Sequence, residues 1–275
     1  GKVHRHELSG VLHGLFRVRA FTIDDTHIYC TLDQVEQEIK TNIGIVTTAM
    51  KKFGFANLKK VGLSTKPKNA MGSDETWEKA INGLKRSLEY AGVAYVIQEG
   101  EGAFYGPKIE FVIGDSIGRE WQCGTIQLDF FQAENFDLSY VSSKGIFERP
   151  VIIHQAIYGS IERFLGVLLE HHKGHLPFFL APVQIKILTI TDEQKSYATT
   201  IMQALEKQGL RVELDDSSDP LAGQIKTAQL KRIPWMLVIG KKEVETATVT
   251  LRHQDGKQES ALSLETLLAK AATLV

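Results

Sequence analysis

The chain holds only two cysteines, Cys30 and Cys123. Two are too few for a disulfide framework, and both are read as reduced, buried thiols of a cytoplasmic protein. No apolar run is long enough to span a bilayer as a helix. Neither sign of charge dominates: 32 Lys and Arg face 33 Asp and Glu, so no global basic field points to nucleic acid. A local patch can still do so. Repeats and low-complexity tracts are absent. So are the glycine patterns that cradle phosphates between a strand and a helix.

What remains is a globular composition, 43% hydrophobic and 24% charged, over 275 residues. That length suits one large or two ordinary domains. Thr31 and Gln34 have capping-box spacing, and Val35, Ile39, Val46, Met50 and Phe53 follow at helical intervals up to Gly54. A strand is expected over 61–67. A second helix opens near Ser73, carries Trp77, Ile81, Leu84 and Leu88, and stops at Gly92. After a short strand in "AYVIQ", "KIEFVIG" and "REWQCGTIQLDF" read as a long antiparallel hairpin turned by "DSIG". "PVIIHQ" is another strand, and an apolar helix is expected from about Ile157 to His171.

The pattern changes after "GHLPFFLAP". Strand (183–190), helix (192–208), strand (210–215), helix (221–231) and strand (235–240) alternate, then a hairpin around "HQDGKQ" and a helix from Leu264. Such alternation implies a mostly parallel sheet with crossover helices. The expected organisation is an α+β domain over residues 1–181, built on an antiparallel sheet with flanking helices. An α/β module with a mixed sheet is expected over 182–275.

"RVRAFTIDDTHIY" (17–29) sets the chemical question. Acids are depleted in strands, because a buried charge needs a partner. Something near Asp24, Asp25 and His27 should be positive, polar or metallic. His154 also falls in a strand, far away in sequence. Taken alone, each strand histidine reads as a packing residue, "GEGAFYGPKIEF" (100–111) as a turn, and Arg163 as an exposed helix arginine. Arginine at a helix end can also hold phosphate.

Together these pieces are specific. "RHE" followed by a loop and "RVRAF" resembles motif 2 of the class II aminoacyl-tRNA synthetases, and "GSIER" resembles motif 3. "GVLHGLFRVRAFTIDDTHIY", "GSDETWEKA", "GEGAFYGPKIEF", "WQCGTIQLDF", "PVIIHQAIYGSIERFLGVLLE" and "PFFLAPVQ" resemble the threonyl-tRNA synthetase family over nearly the whole chain. The resemblance implies an enzyme, a ligase that activates L-threonine with ATP and Mg²⁺ to threonyl-adenylate and transfers it to tRNA(Thr).

The resemblance also implies roles. Arg5 and Arg163 are the catalytic arginines. Glu7, Arg17, Phe21, Gln122, Thr125 and Ser160 join them around ATP. Asp25, Tyr105, Lys108 and Gln127 match the threonine pocket, with Asp25 receiving the hydroxyl. His27 and His154 match two ligands of a Zn²⁺ whose third ligand, a cysteine, is expected upstream. Demanding a hydroxyl rejects valine, which shape alone cannot do.

Motif 1 and the dimer interface it builds are also expected outside this chain, and the family's regions that edit mischarged serine are absent from this sequence. The catalytic sheet is therefore read as N-terminally incomplete, homodimerisation is assigned to the complete protein, and the chain alone is expected to be poorly active. Ile23 stands where the family usually has a glutamine that touches substrate, and an apolar side chain cannot replace that hydrogen bond.

The second domain resembles the anticodon-binding module of class II synthetases. Between Lys226 and Lys257 seven Lys and Arg meet three Asp and Glu. Arg232, Glu243 and Arg252 match contacts to anticodon bases, and Ser218 replaces a common asparagine. On the residues alone, these charges read as a solvated face. The rival to the enzyme is a synthetase-like RNA-binding or regulatory protein without chemistry.

Overall fold

The computed structural model describes residues 1–55 and 58–274, in two compact units. No helix among the described residues is long and apolar enough to cross a membrane.

The first unit, Gly1–His171, opens with a small ribbon of β1 (Lys2–His4) against β2 (Ala20–Thr22). Its main sheet contains β3 (Thr26–Cys30), β4 (Lys60–Ser64), β5 (Val96–Gln98), β6 (Lys108–Gly114), β7 (Glu120–Asp129) and β10 (Val151–Ala156). α1 (Val35–Lys52) and α2 (Asp74–Tyr90) pack together against it. Between β7 and β10 lie the short α3 (Gln132–Asn135) and a hairpin of β8 (Tyr140–Val141) and β9 (Phe147–Glu148). α4 (Ile161–His171) ends the unit.

The spatial order is β3-β10-β7-β6-β4-β5, antiparallel except for the β4–β5 pair at one edge. Period-two alternation divides β6 and β7 between two faces. Ile109, Phe111, Ile126, Leu128 and Ile153 are fully buried, as are Ile39, Ile43, Val46 and Met50 of α1 and Leu84 and Leu88 of α2. This apolar face forms the core. The opposite face is polar, and one row crosses it without a break. His27 stands opposite His154, His154 opposite Gln127, Gln127 opposite Lys108, Lys108 opposite Ser64, and Ser64 opposite Gln98.

Of the Thr31–Gln34 capping box the Gln34 half forms, its Oε1 accepting from Thr31 N at 2.9 Å, and it opens a single 3₁₀ turn that leads into α1. The last helix of the unit is shorter than its apolar pattern suggests. It starts at Ile161 rather than near Ile157. Gly159 has φ +72°, which no helix continues, and Ser160 Oγ accepts from Arg163 N at 3.2 Å.

The second unit begins at His172. It therefore includes residues ahead of Pro182, because Phe178 joins this unit's core and Arg211 donates to the carbonyls of Phe179 and Ala181. Its elements are β11 (Ile185–Thr189), α5 (Lys195–Glu206), β12 (Val212–Leu214), α6 (Leu221–Leu230), β13 (Trp235–Ile239), α7 (Lys241–Thr246), β14 (Val249–His253), β15 (Gln258–Leu262) and α8 (Leu264–Ala272). The sheet order is β12-β11-β13-β14-β15, parallel through β13 and antiparallel beyond. Ile185, Ile187, Leu237 and Leu251 pack under α5 and α8, and Leu188 and Met236 under α6.

Candidate active site

The polar face of the first unit carries a cleft lined by Arg5, Glu7, Phe16, Arg17, Val18, Phe21, Ile23, Gln122, Cys123, Thr125, Gln127, Gly159, Ser160 and Arg163. All eight residues expected around ATP are among them. Phe21 lies on β2 and Arg5 directly follows β1, with the guanidinium carbon 5.2 Å from the ring centroid. Glu7 pairs with Arg17 at 3.0 Å. Arg163, at the start of α4, donates to the carbonyls of Phe16 at 2.8 Å and Gln122 at 3.0 Å. Burial lowers its pKa from the ordinary value, and the charges of Arg17 and Arg5 act the same way. Three guanidinium groups around one cleft, an aromatic ring among them, form a site for an anion with a flat apolar part.

The tip of the β6–β7 hairpin braces this cleft. Asp115 accepts from Ile117 N, Arg119 N, Arg119 Nε and Trp121 Nε1. Burial pushes its pKa up, but these hydrogen bonds outweigh burial and hold it near 2. Trp121 packs on Phe16 with ring centroids 4.7 Å apart, and Arg163 lies over Trp121 at 5.6 Å.

The two aspartates of the opening motif have different surroundings. Asp24 takes three backbone N–H groups, those of Ile157 and Tyr158 on Oδ2 and that of Gly159 on Oδ1, each at 2.8 Å. It holds the turn between β10 and α4. Asp25 is exposed and stands with His27 and His154; one ligand atom from each lies within 4.8 Å of the others. The two imidazoles meet edge to face at 4.5 Å between centroids.

His154 Nε2 lies 3.1 Å from Oδ2 of the fully buried Asp129. Asp129 is itself held, because Oδ1 accepts from Phe131 N and Gln132 N. A carboxylate behind an imidazole fixes the ring and its tautomer and leaves the second ring nitrogen with a free lone pair that can bind a metal. Two histidines and a carboxylate with this support fit a zinc-type ion. Tyr105 donates its hydroxyl to Gln127, and its ring is 5.4 Å from that of His154. Burial, with Asp129 and Asp25 nearby, pushes the Tyr105 phenol up to about 12, so it remains a donor at neutral pH. Lys108 is Gln127's cross-strand neighbour. Burial raises the Cys30 thiol to about 11 and Cys123 to about 12, which leaves both unreactive.

The family model for the tRNA synthetase class II core domain (G, H, P, S and T) matches residues 1–172, and that for the anticodon binding domain matches 178–274. The crystal structure of the RNA binding domain of threonyl-tRNA synthetase from Cryptosporidium parvum Iowa II superposes with a TM-score of 0.90 at 40% identity. It covers 100% of this chain and 69% of that one. The chain belongs to the threonyl-tRNA synthetase family of class II. Threonine--tRNA ligases from Clostridium tetani and Acetivibrio thermocellus are 52% and 53% identical over 98% and 96% of the chain. The chain spans 42% and 41% of their lengths. Prolyl-tRNA synthetase from Cryptosporidium parvum, at 20% identity and a TM-score of 0.69, shares the fold.

For a class II synthetase, several parts of this site lay outside the sequence reading. Asp24, Asp129 and Asp115 act through backbone and side-chain partners that only the folded chain brings near. Glu162 accepts from Thr22 N at 2.9 Å and ties α4 to β2. The adjacent acids "DD" were a signal for Asp24. Asp129 and Asp115 sat at strand ends with no signal beyond polarity.

In the second unit Arg232 is exposed and bonds His175. Glu243 is engaged in capping α7: it accepts from Gly240 N at 2.9 Å and Thr250 Oγ1 at 3.0 Å. Arg252 lies on β14 with a buried Nε that has no partner among the described residues.

Proposed function

We propose that the chain carries the threonine-activating site and the tRNA-reading module of a threonine–tRNA ligase. One observation carries the reading: eight residues scattered from Arg5 to Arg163 line a single cleft, with the Asp25–His27–His154 group on the same sheet face. ATP lies with its adenine between Phe21 and Arg163. Arg5 holds the α-phosphate and the reacting carboxylate, where an arginine fork stabilises charge that develops during transfer. Mg²⁺ accompanies the nucleotide.

His27 and His154 would hold a Zn²⁺ ion, which when bound would supply Lewis acidity toward the amino and hydroxyl groups of threonine. Asp25 accepts from that hydroxyl, and Tyr105, Lys108 and Gln127 complete the pocket. In the second unit, Arg232, Glu243 and Arg252 read anticodon bases of tRNA(Thr). The complete protein would act as a cytoplasmic homodimer.

Ile23 favours a second reading, an RNA-binding protein without chemistry, because it places an apolar side chain on the cleft wall. ATP–pyrophosphate exchange by the full-length protein with threonine, serine and valine decides between them. Exchange that depends on threonine, is weak with serine and is very weak with valine supports the enzyme. No exchange above background with any of the three defeats it.

A further inference from the structure

Glu110 is 6% exposed on the polar face of the sheet. A carboxylate so placed needs partners for its charge. It has three. Ser64 Oγ donates to Oε2 at 2.8 Å, and Lys108 Nζ donates to Oε1 at 2.7 Å. The Gln98 amide, oriented by its neighbours, donates to Oε2 at 3.0 Å and accepts from Lys60 Nζ at 3.3 Å. Three strands, β4, β5 and β6, therefore converge on one carboxylate.

The backbone is shaped to allow this. Gly62 stands opposite Glu110 on β4. A Cβ at Gly62 would lie 1.7 Å from Gln98 Oε1. The missing side chain leaves the space in which the Gln98 amide reaches Glu110.

Among the described residues Glu110 is the only hydrogen-bond partner of the Lys108 ammonium. An ammonium has three protons, so two remain for a ligand. Lys108 lies between Gln127 and Ser64 in the polar row. A lysine stem is flexible, and an unanchored ammonium would sample many positions. We propose that Glu110, itself oriented by Ser64 and Gln98, is a positioning residue that fixes the Lys108 ammonium in the amino-acid pocket. The proposal rests on the reading of Lys108 as a pocket residue. Glu110 also offsets the charge of Lys108, so the pair presents directed donors without a full unbalanced cation. Such a site suits a zwitterionic amino acid better than a second nucleotide phosphate.

The test is steady-state ATP–pyrophosphate exchange by the full-length protein, with KM measured separately for threonine and ATP. Glu110→Gln should raise KM for threonine about tenfold, the scale of a lost hydrogen bond to a charged group, and leave KM for ATP within about twofold. Glu110→Asp should fall in between. Lys108→Met and the Lys108→Met, Glu110→Gln double variant should lose the same amount, because Glu110 acts through Lys108.

Additive losses, or an equal rise in both KM values, would overturn the proposal and leave Glu110 a purely structural acid. If Glu110→Gln gives no cooperative unfolding transition, Ser64→Ala and Gln98→Leu are read the same way, each with a smaller rise confined to threonine. A threonine KM unchanged in both also overturns it. Wild-type protein without threonine-dependent exchange defeats the functional reading itself, and the proposal with it. Normal wild-type exchange with unaffected variants defeats the positioning role alone.

Discussion

The Asp24 carboxylate and the Gly159 amide, 135 positions apart in sequence, meet at 2.8 Å. With Ile157 N and Tyr158 N on the same carboxylate, this contact closes the cleft wall that carries Ser160 and Arg163. Asp24→Ala leaves three N–H groups without their acceptor. It should cost the first unit about 2–4 kcal/mol, since bonds to a charged group contribute more than neutral ones. Urea unfolding of the full-length protein checks this, and a change below about 0.5 kcal/mol would contradict it.

Asp129 should matter through the metal, not through substrate. Asp129→Asn weakens the support behind His154, and loss of such a partner lowers metal affinity about ten- to a hundredfold. Competition with a chromogenic chelator for Zn²⁺ measures it directly. Affinity equal to wild type in a folded variant would mean that His154 is oriented by packing alone.

The Asp115 carboxylate titrates near 2 in the folded chain, below its ordinary value. A carboxylate with a depressed folded pKa favours the native state once pH exceeds its unfolded value. That contribution, about 2 kcal/mol, is complete above about pH 4 and disappears as pH falls toward about 2. Asp115→Asn lacks it at every pH. Wild type should therefore lose more stability than Asp115→Asn between about pH 5 and pH 2.5, as measured by urea unfolding. Parallel stability curves for the two proteins would contradict the assignment.

In the second unit, Arg252→Ala should weaken binding to the threonine anticodon stem-loop by about 1–3 kcal/mol and an unrelated stem-loop by less. Binding titrations at fixed salt separate the cases. Equal losses on both RNAs would restrict Arg252 to backbone contact.

Much of this architecture could be read in the sequence because its signals are local. The Thr31–Gln34 box, the α1 and α2 stripes and the β6–β7 hairpin each depend on neighbours a few residues away. What could not be read depends on register. His27 meets His154 only because β3 and β10 pair with those two opposite each other. A slip by one residue would turn one of them to the core. The same register separates Asp24, which clamps a turn, from Asp25, which faces the histidines; the dipeptide alone does not distinguish them. Glu110 sits inside "KIEF", where alternation predicts a polar side chain but not the Ser64 and Gln98 partners. α7 is six residues long and too short for a periodic stripe. The β1–β2 ribbon joins segments separated by a loop that carries no strand pattern.

If Asp25, His27 and His154 recognise a hydroxyl, the Asp25 carboxylate sets the preference for threonine over valine. The most direct measurement is the ratio of threonine to valine activation by the full-length protein and its Asp25→Ala variant, with zinc content determined on both. Asp25→Ala should keep its zinc, lose about ten- to a hundredfold in threonine activation and lose far less with valine, so that discrimination narrows. A variant that falls equally with both amino acids, or a folded wild-type protein without stoichiometric zinc, would contradict it.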